Sequence, residues 1–77
     1  MSFQASDVPD LIQRVTRARM RLSRAARIVV LRPDVYAALR EYSRIHFGME
    51  SGPEHLSECR IVLDEMQIEE FVVREDA

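Results

Sequence analysis

The segment RIVVLRPD, residues 27–34, constrains the fold more than any other part of this 77-residue chain. Its consecutive apolar residues are mostly β-branched, which is typical of a strand buried on both faces in the middle of a sheet. Pro33 and Asp34 then suit the first turn of a helix, because proline has no N–H to leave unpaired there and an acid favours the positive end of the helix dipole. The pattern therefore predicts a central strand that leads directly into a helix.

Two helices are expected around this strand. The second helix runs from Pro33 through Phe47 and stops at Gly48. The first helix is capped by Ser6 or Asp7. Its apolar residues recur at helical spacing: Leu11, Val15, Ala18, Leu22 and Ala25, with Ile12 and Ala26 beside them. The inward residues of the second helix are Val35, Ala38, Leu39, Tyr42 and Ile45.

The remainder of the chain is predicted to form two strands, over residues 58–64 and 69–74, joined by a polar turn. A helix across residues 55–67 is the alternative, since short apolar runs do not settle the choice by periodicity. The β-branched pair Ile61 and Val62 and the separate FVV run favour strands.

The predicted fold is therefore a small single α+β domain over residues 1–77, in the order α-β-α-β-β. Both helices pack on a short three-stranded sheet, and residues 1–5 and 75–77 are frayed. A chain of this length buries only about 60% of its unfolded surface, so the core is small. The predicted core residues are Leu11, Val15, Leu22, Val29, Leu31, Leu39, Tyr42, Ile61, Leu63 and Phe71.

Charge is distributed very unevenly along the chain. Residues 1–44 contain nine arginines and four acids, whereas residues 45–77 contain two arginines and nine acids. The two halves can therefore attract each other within one molecule or between copies. Arg14, Arg17, Arg21 and Arg24 fall on one side of the first helix, with Arg19 on the other edge. We name Arg14, Arg17, Arg21 and Arg24 the arginine ridge.

The arginine ridge is the candidate partner-binding surface of the chain, and it has two interpretations. It either contacts phosphates, or it contacts acidic protein surface in the same chain or in a neighbour. The second interpretation is preferred. The acids of residues 45–77 would repel DNA near the ridge, and the first helix has no aromatic residue to stack on single-stranded bases.

The sequence predicts no catalytic, cofactor-binding or metal site. His46, His55 and Cys59 lack the close paired spacing of zinc ligands, and a lone cysteine is usually a small buried apolar residue. The chain has two glycines, and neither lies in a phosphate-binding loop. We therefore expect a protein that is not an enzyme and that has no small-molecule substrate.

Two families resemble parts of this sequence. Residues 27–74 resemble a segment of the major capsid proteins of tailed phages. The resemblance lies in RIVVLRPDVYAALREY, then CRIVLDE and finally EEFVV. That resemblance implies a small phage or prophage protein with a structural role. RIVVLRPDVYAALREYSRIHFG is similar to the opening of ribbon-helix-helix repressors. That second resemblance implies a DNA-binding repressor or antitoxin, and it requires a helix from Pro53 to Gln67.

The expected function is accordingly that of a small protein-binding or assembly protein, whose partner is another protein or further copies of this chain. The repressor is the alternative, and nucleic acid is the less favoured partner. One cysteine excludes an intrachain disulfide. No apolar run is long enough to span a bilayer, and no signal peptide is evident. We expect no membrane contact, and a location in the host cytoplasm or in a phage particle.

Overall fold

A computed structural model describes residues 3–22 and 25–75 of the chain. A short 3-10 turn, two helices and four strands follow one another along it. Their bounds are Ala5–Asp7 for the 3-10 turn, Val8–Leu22 for α1, Ala26–Leu31 for β1, Pro33–Phe47 for α2, His55–Leu56 for β2, Cys59–Leu63 for β3 and Phe71–Glu75 for β4.

The strands form one mixed sheet in the order β2-β3-β1-β4. β1 pairs with β3 in parallel and with β4 in antiparallel orientation, so that Val29 lies between Ile61 and Val73. α2 connects the two parallel strands. The predicted α+β class is therefore confirmed, and so is the central position of β1.

The predicted three-stranded sheet and the order α-β-α-β-β are incomplete, because β2 forms an additional strand. In this strand His55 and Leu56 pair with Arg60 and Cys59. Between them Ser57 and Glu58 both adopt positive φ, at 50° and 68°. Two such residues in succession make the tight turn of a two-residue hairpin, and this turn returns the chain at once into β3.

The two strands predicted after residue 58 are confirmed, with small shifts in their bounds. Residues 58–64 correspond to Cys59–Leu63, and residues 69–74 correspond to Phe71–Glu75. The alternative helix over residues 55–67 is wrong. Asp64 begins the turn that follows β3, where its Oδ1 accepts a hydrogen bond from the Met66 N–H at 2.9 Å.

Both helices pack on the same face of the sheet and share one core. The predicted core residues Leu11, Val15, Val29, Leu31 and Leu39 are buried. Tyr42, Ile61 and Phe71 are partly buried against them. The remaining buried members of this cluster are Phe3, Val8, Ala26, Val35, Ala38, Leu56, Cys59 and Val73.

Four residues expected to be buried are exposed instead. One is Ala25, which was expected on the apolar side of the first helix but lies beyond the end of α1 at Leu22. Leu22 is 52% exposed, Leu63 49% and Ile45 58%. Leu22 and Leu63 are the last residues of α1 and β3, and Ile45 lies in the last turn of α2. Helical or strand spacing predicts the direction in which a side chain points, but it does not reveal where the neighbouring element ends. These side chains lie beyond the part of the core that neighbouring elements cover.

The start of α1 also differs from the prediction. Ser6 and Asp7 do not cap α1 directly, because they belong to the 3-10 turn that precedes Val8. The Asp7 carboxylate accepts a hydrogen bond from the Gln4 N–H at 3.0 Å and thereby closes this turn. Phe3, within the stretch expected to fray, is buried in the core.

α2 has the predicted bounds. Pro33 occupies its first turn, and Gly48 ends it with φ at 66°, a left-handed conformation that glycine adopts without a Cβ clash. The Gly48 N–H donates to the Arg44 carbonyl at 3.1 Å. On the side of α2, the Tyr36 hydroxyl donates to the Pro53 carbonyl at 3.1 Å, directly over Gly52.

The face of the sheet opposite the helices is formed by alternate strand residues. Ile28 lies between Arg60 and Arg74, and Val30 lies between Val62 and Val72. Ile28 is 6% exposed and Val30 5%, although both helices pack on the other face. The side chains of β3 and β4 therefore screen the central strand, which explains why its apolar run is continuous.

Candidate protein-binding surface

The arginine ridge lies on the β4 side of α1. Arg14, Arg17 and Arg21 are its described members, and Arg24 lies outside the described residues. These three side chains and Ala18 surround Phe71, the first residue of β4, and line an open depression of about 270 Å³. The ridge therefore combines three cations with one aromatic ring.

Arg14 forms ion pairs within the fold. Its Nε lies 2.9 Å from Asp10 Oδ2, one helical turn earlier, and its Nη2 lies 2.9 Å from Glu70 Oε1. The Arg14 guanidinium also lies 5.6 Å from the centroid of the Phe71 ring, which favours a cation–π contact. Arg14 thus joins α1 to the start of β4.

Arg17 and Arg21 are exposed to solvent. Neither forms an ion pair with any acid in residues 3–22 or 25–75. Both guanidinium groups remain available to a partner, since each presents five N–H donors in a planar fork that suits carboxylate or phosphate.

The opposite side of α1 is attached to the β2–β3 turn. The Thr16 and Ser57 hydroxyls lie 2.8 Å apart, and Arg19 Nη1 lies 3.5 Å from Glu58 Oε2. Arg19 is therefore on the other edge of the helix, as the helical spacing predicts. Together with the Arg14–Glu70 pair, this contact shows attraction between the basic and acidic halves within one molecule.

β4 is an edge strand of the sheet. It pairs with β1, and no other strand among the described residues lies beside it. Alternate residues of an edge strand direct their backbone N–H and C=O groups away from the sheet. The open edge of β4 therefore lies next to the depression that Phe71 and the arginine ridge form. The sequence predicts β4 as a strand, but it carries no signal for the position of that strand in the sheet.

The candidate metal ligands are not brought together. His46 and His55 are exposed on α2 and β2, whereas Cys59 is buried in the core. Within the described ranges no three His, Cys, Asp or Glu side chains are arranged to hold a metal ion.

Cys59 has the character of a core residue. Its Sγ lies 3.9 Å from the Ala26 carbonyl oxygen. Burial raises the pKa of the Cys59 thiol, although Arg19 and Arg27 oppose that effect. The thiolate that a nucleophilic cysteine requires is therefore disfavoured.

No protein-family model, curated protein or solved structure matches this chain. Neither α1 nor α2 is long and apolar enough to cross a membrane, and the same holds for every helix in the described part of the chain.

Proposed function

We propose that this protein is a non-enzymatic binding module whose partner is another protein, and that the partner contacts the arginine ridge beside β4. One observation carries the proposal: Arg17 and Arg21 are exposed and lack ion pairs among the described residues, next to the partly buried Phe71 ring. Arginine and aromatic side chains are enriched in protein interfaces, where they contribute much of the binding energy.

The acids around the ridge favour a protein partner over nucleic acid. Glu70 lies beside Arg14, and Glu75 belongs to the adjoining strand. A DNA backbone laid along the ridge would approach these carboxylates, and the repulsion would offset part of the attraction to Arg17 and Arg21. A protein partner can instead place acidic groups at the two arginines and other groups near the glutamates.

Photo-cross-linking in the native cell tests the proposed function. Arg17 is replaced by p-benzoylphenylalanine, and the control protein carries the same photoreactive residue in place of Arg40, an exposed residue on α2. We expect a discrete protein adduct at position 17 that is absent at position 40. Adducts with nucleic acid at position 17 would contradict the proposal and would favour the repressor interpretation.

Charge removal provides a second, quantitative test with the isolated partner. The Arg17→Gln/Arg21→Gln variant should bind the partner at least about tenfold more weakly, which corresponds to about 1.4 kcal/mol. The Arg40→Gln/Arg60→Gln variant removes the same charge from exposed positions outside the ridge. It should bind like the original protein. Equal weakening in both variants would indicate a non-specific effect of net charge and would contradict a contact at the ridge.

A further inference from the structure

We infer that β4 accepts an acidic, extended segment of the partner as a fifth strand of the sheet, with the acidic side chains of that segment bound by Arg17 and Arg21. This inference rests on the proposed function, and it specifies how the partner binds. It combines two features of one place in the molecule: the open edge of β4 and the cations above that edge.

The backbone of β4 supplies the first part of the contact. β4 has five residues, Phe71–Glu75, and in the described chain it pairs along one edge only. An added strand would lie about 4.8 Å away and would form main-chain hydrogen bonds with alternate β4 residues. Such bonds are indifferent to the partner's side chains, so they provide affinity and not selectivity.

The side chains on the helix face supply selectivity. Successive side chains of a strand point to opposite faces, so every second side chain of an added strand would point toward α1. Those side chains would lie beside Phe71, beneath the ridge. Arg14 is already paired with Asp10 and Glu70, whereas Arg17 and Arg21 have no ion pair in the described residues. The complementary side chains beside these two arginines are therefore carboxylates, whereas the side chain beside Glu75, which shares this face with Phe71, should be uncharged.

The opposite face of the sheet calls for different side chains. There, an added strand would lie beside Val72 and Arg74, which are both exposed. An apolar β-branched side chain packs well beside a valine on a sheet surface. The segment that fits both faces therefore has acidic residues beside the ridge, an uncharged residue beside Glu75, and residues such as valine at the intervening positions.

A second copy of this chain fits the edge less well. Antiparallel pairing of two β4 strands places both α1 helices on the same face of the joined sheet. The ridges of the two copies would then face each other across the two-fold axis, and Arg17 and Arg21 of each copy would repel those of the other. An acidic segment without its own helix avoids this repulsion.

Three synthetic heptapeptides test the inference by fluorescence anisotropy. The first has serine at both ends, glutamate at its third and fifth positions and valine at the intervening positions, so that the uncharged ends can lie beside Glu75. The second has glutamine in place of both glutamates, and the third keeps the glutamates but has proline at its central position. We expect the first peptide to bind at least about tenfold more tightly than the other two, because the second lacks charge and the third lacks strand geometry. The Arg17→Gln/Arg21→Gln variant should lose the same factor for the first peptide, and the Arg40→Gln/Arg60→Gln variant should not.

Amide hydrogen exchange supplies a readout that a purely electrostatic contact would not change. The first peptide should slow exchange at alternate residues of β4, since only strand addition gives those outward N–H groups new acceptors. Circular dichroism of each variant should match that of the original protein, because the substituted arginines are exposed.

The possible failures are distinct. If the proline peptide binds as tightly as the first peptide, or if β4 exchange is unchanged, strand addition is wrong although the ridge still binds acidic protein. If the glutamine peptide binds equally, or no peptide binds, the acidic segment is wrong, and the cross-link at position 17 decides independently whether the proposed function stands. A position-17 adduct between two copies of this chain, with dimers in sedimentation, would also overturn the acidic segment of another protein as the occupant.

Discussion

At the scale of single residues, the same side-chain type has different roles according to its place in an element. Leu39 points from the middle of α2 into the core, whereas Leu22 ends α1 in solvent. Among the arginines, Arg14 joins two elements while Arg17 projects from the surface. Position within the element, and not residue type alone, therefore determines the effect of a substitution.

The pair Leu39→Ala and Leu22→Ala measures this difference directly. Leu39→Ala should lower the free energy of unfolding by about 2–5 kcal/mol, because it leaves a cavity among buried side chains. Leu22→Ala makes the same chemical change at an exposed position and should cost less than about 1 kcal/mol. Urea denaturation of the two variants checks this, and equal losses would contradict the assignment of the core.

Cys59 should make stability depend on pH in the alkaline range. Burial raises the pKa of the thiol in the folded state, so the folded protein holds this proton more tightly than the unfolded chain does. The resulting contribution is complete below the thiol's ordinary pKa of 9.0 and is lost as pH rises through the higher folded value. Urea denaturation from pH 7 to 10.5 should show a fall that Cys59→Ala reduces.

Alkylation of the thiol provides the control for that measurement. Iodoacetamide should modify Cys59 much more slowly in the folded protein than in urea, because the thiolate must first be exposed. Equal rates in both conditions would show that Cys59 is accessible and would remove the basis of the predicted pH dependence.

At the scale of elements, the β2–β3 turn is the feature with the most unusual backbone. Ser57 and Glu58 both have positive φ, which non-glycine residues seldom adopt. The second of these positions is the one at which hairpins of this kind favour glycine. The hairpin therefore forms with residues that are not ideal for its turn.

Replacing Glu58 with glycine should stabilise the protein. The change removes the unfavourable left-handed conformation of a residue with a Cβ, and it outweighs the exposed ion pair with Arg19, so we expect a gain of up to about 1 kcal/mol. Glu54→Gly is the matched control, since Glu54 is exposed and has no positive φ, and it should lower stability slightly. Thermal melts that rank the two variants in the reverse order would contradict this account of the turn.

The elements also show how far sequence patterns reach. β1 and α2 were predictable because a β-branched run, a proline at the helix start and a glycine at its end are local signals. β2 was missed because a two-residue strand is too short to show any alternation. The arginine ridge was predictable from helical spacing, but its position beside Phe71 depends on the order of strands in the sheet. That order follows from packing between distant segments and leaves no local pattern.

At the scale of the whole molecule, one core joins every helix and strand. Buried residues of α1, β1, α2, β2, β3 and β4 belong to a single cluster. Because each helix and strand in residues 3–22 and 25–75 contributes to this cluster, the loss of one of them would expose buried side chains of the others. The predicted resemblances to a capsid segment and to ribbon-helix-helix repressors stay predictions, although the helix over residues 53–67 that the repressor needs is replaced by strands.

The shared core predicts that the protein unfolds in one cooperative transition. Far-ultraviolet circular dichroism reports the helices and sheet, and fluorescence of Tyr36 and Tyr42 reports packing around α2. Urea titrations followed by both signals should have the same midpoint and slope. Separate midpoints would show that α2 or the N-terminal part of the chain detaches before the sheet is lost.

The central position of β1 has a consequence for synthesis on the ribosome. Leu31 ends β1, and Phe71 begins its antiparallel neighbour 40 residues later. At a translation rate of about 5–20 residues per second, roughly 2–8 s separate the appearance of these two segments. Until β3 has been synthesised the most apolar strand of the chain has no neighbour on either side, and from then until β4 appears it has a neighbour on one side only. The nascent protein is therefore most in need of a chaperone before its last strand leaves the exit tunnel.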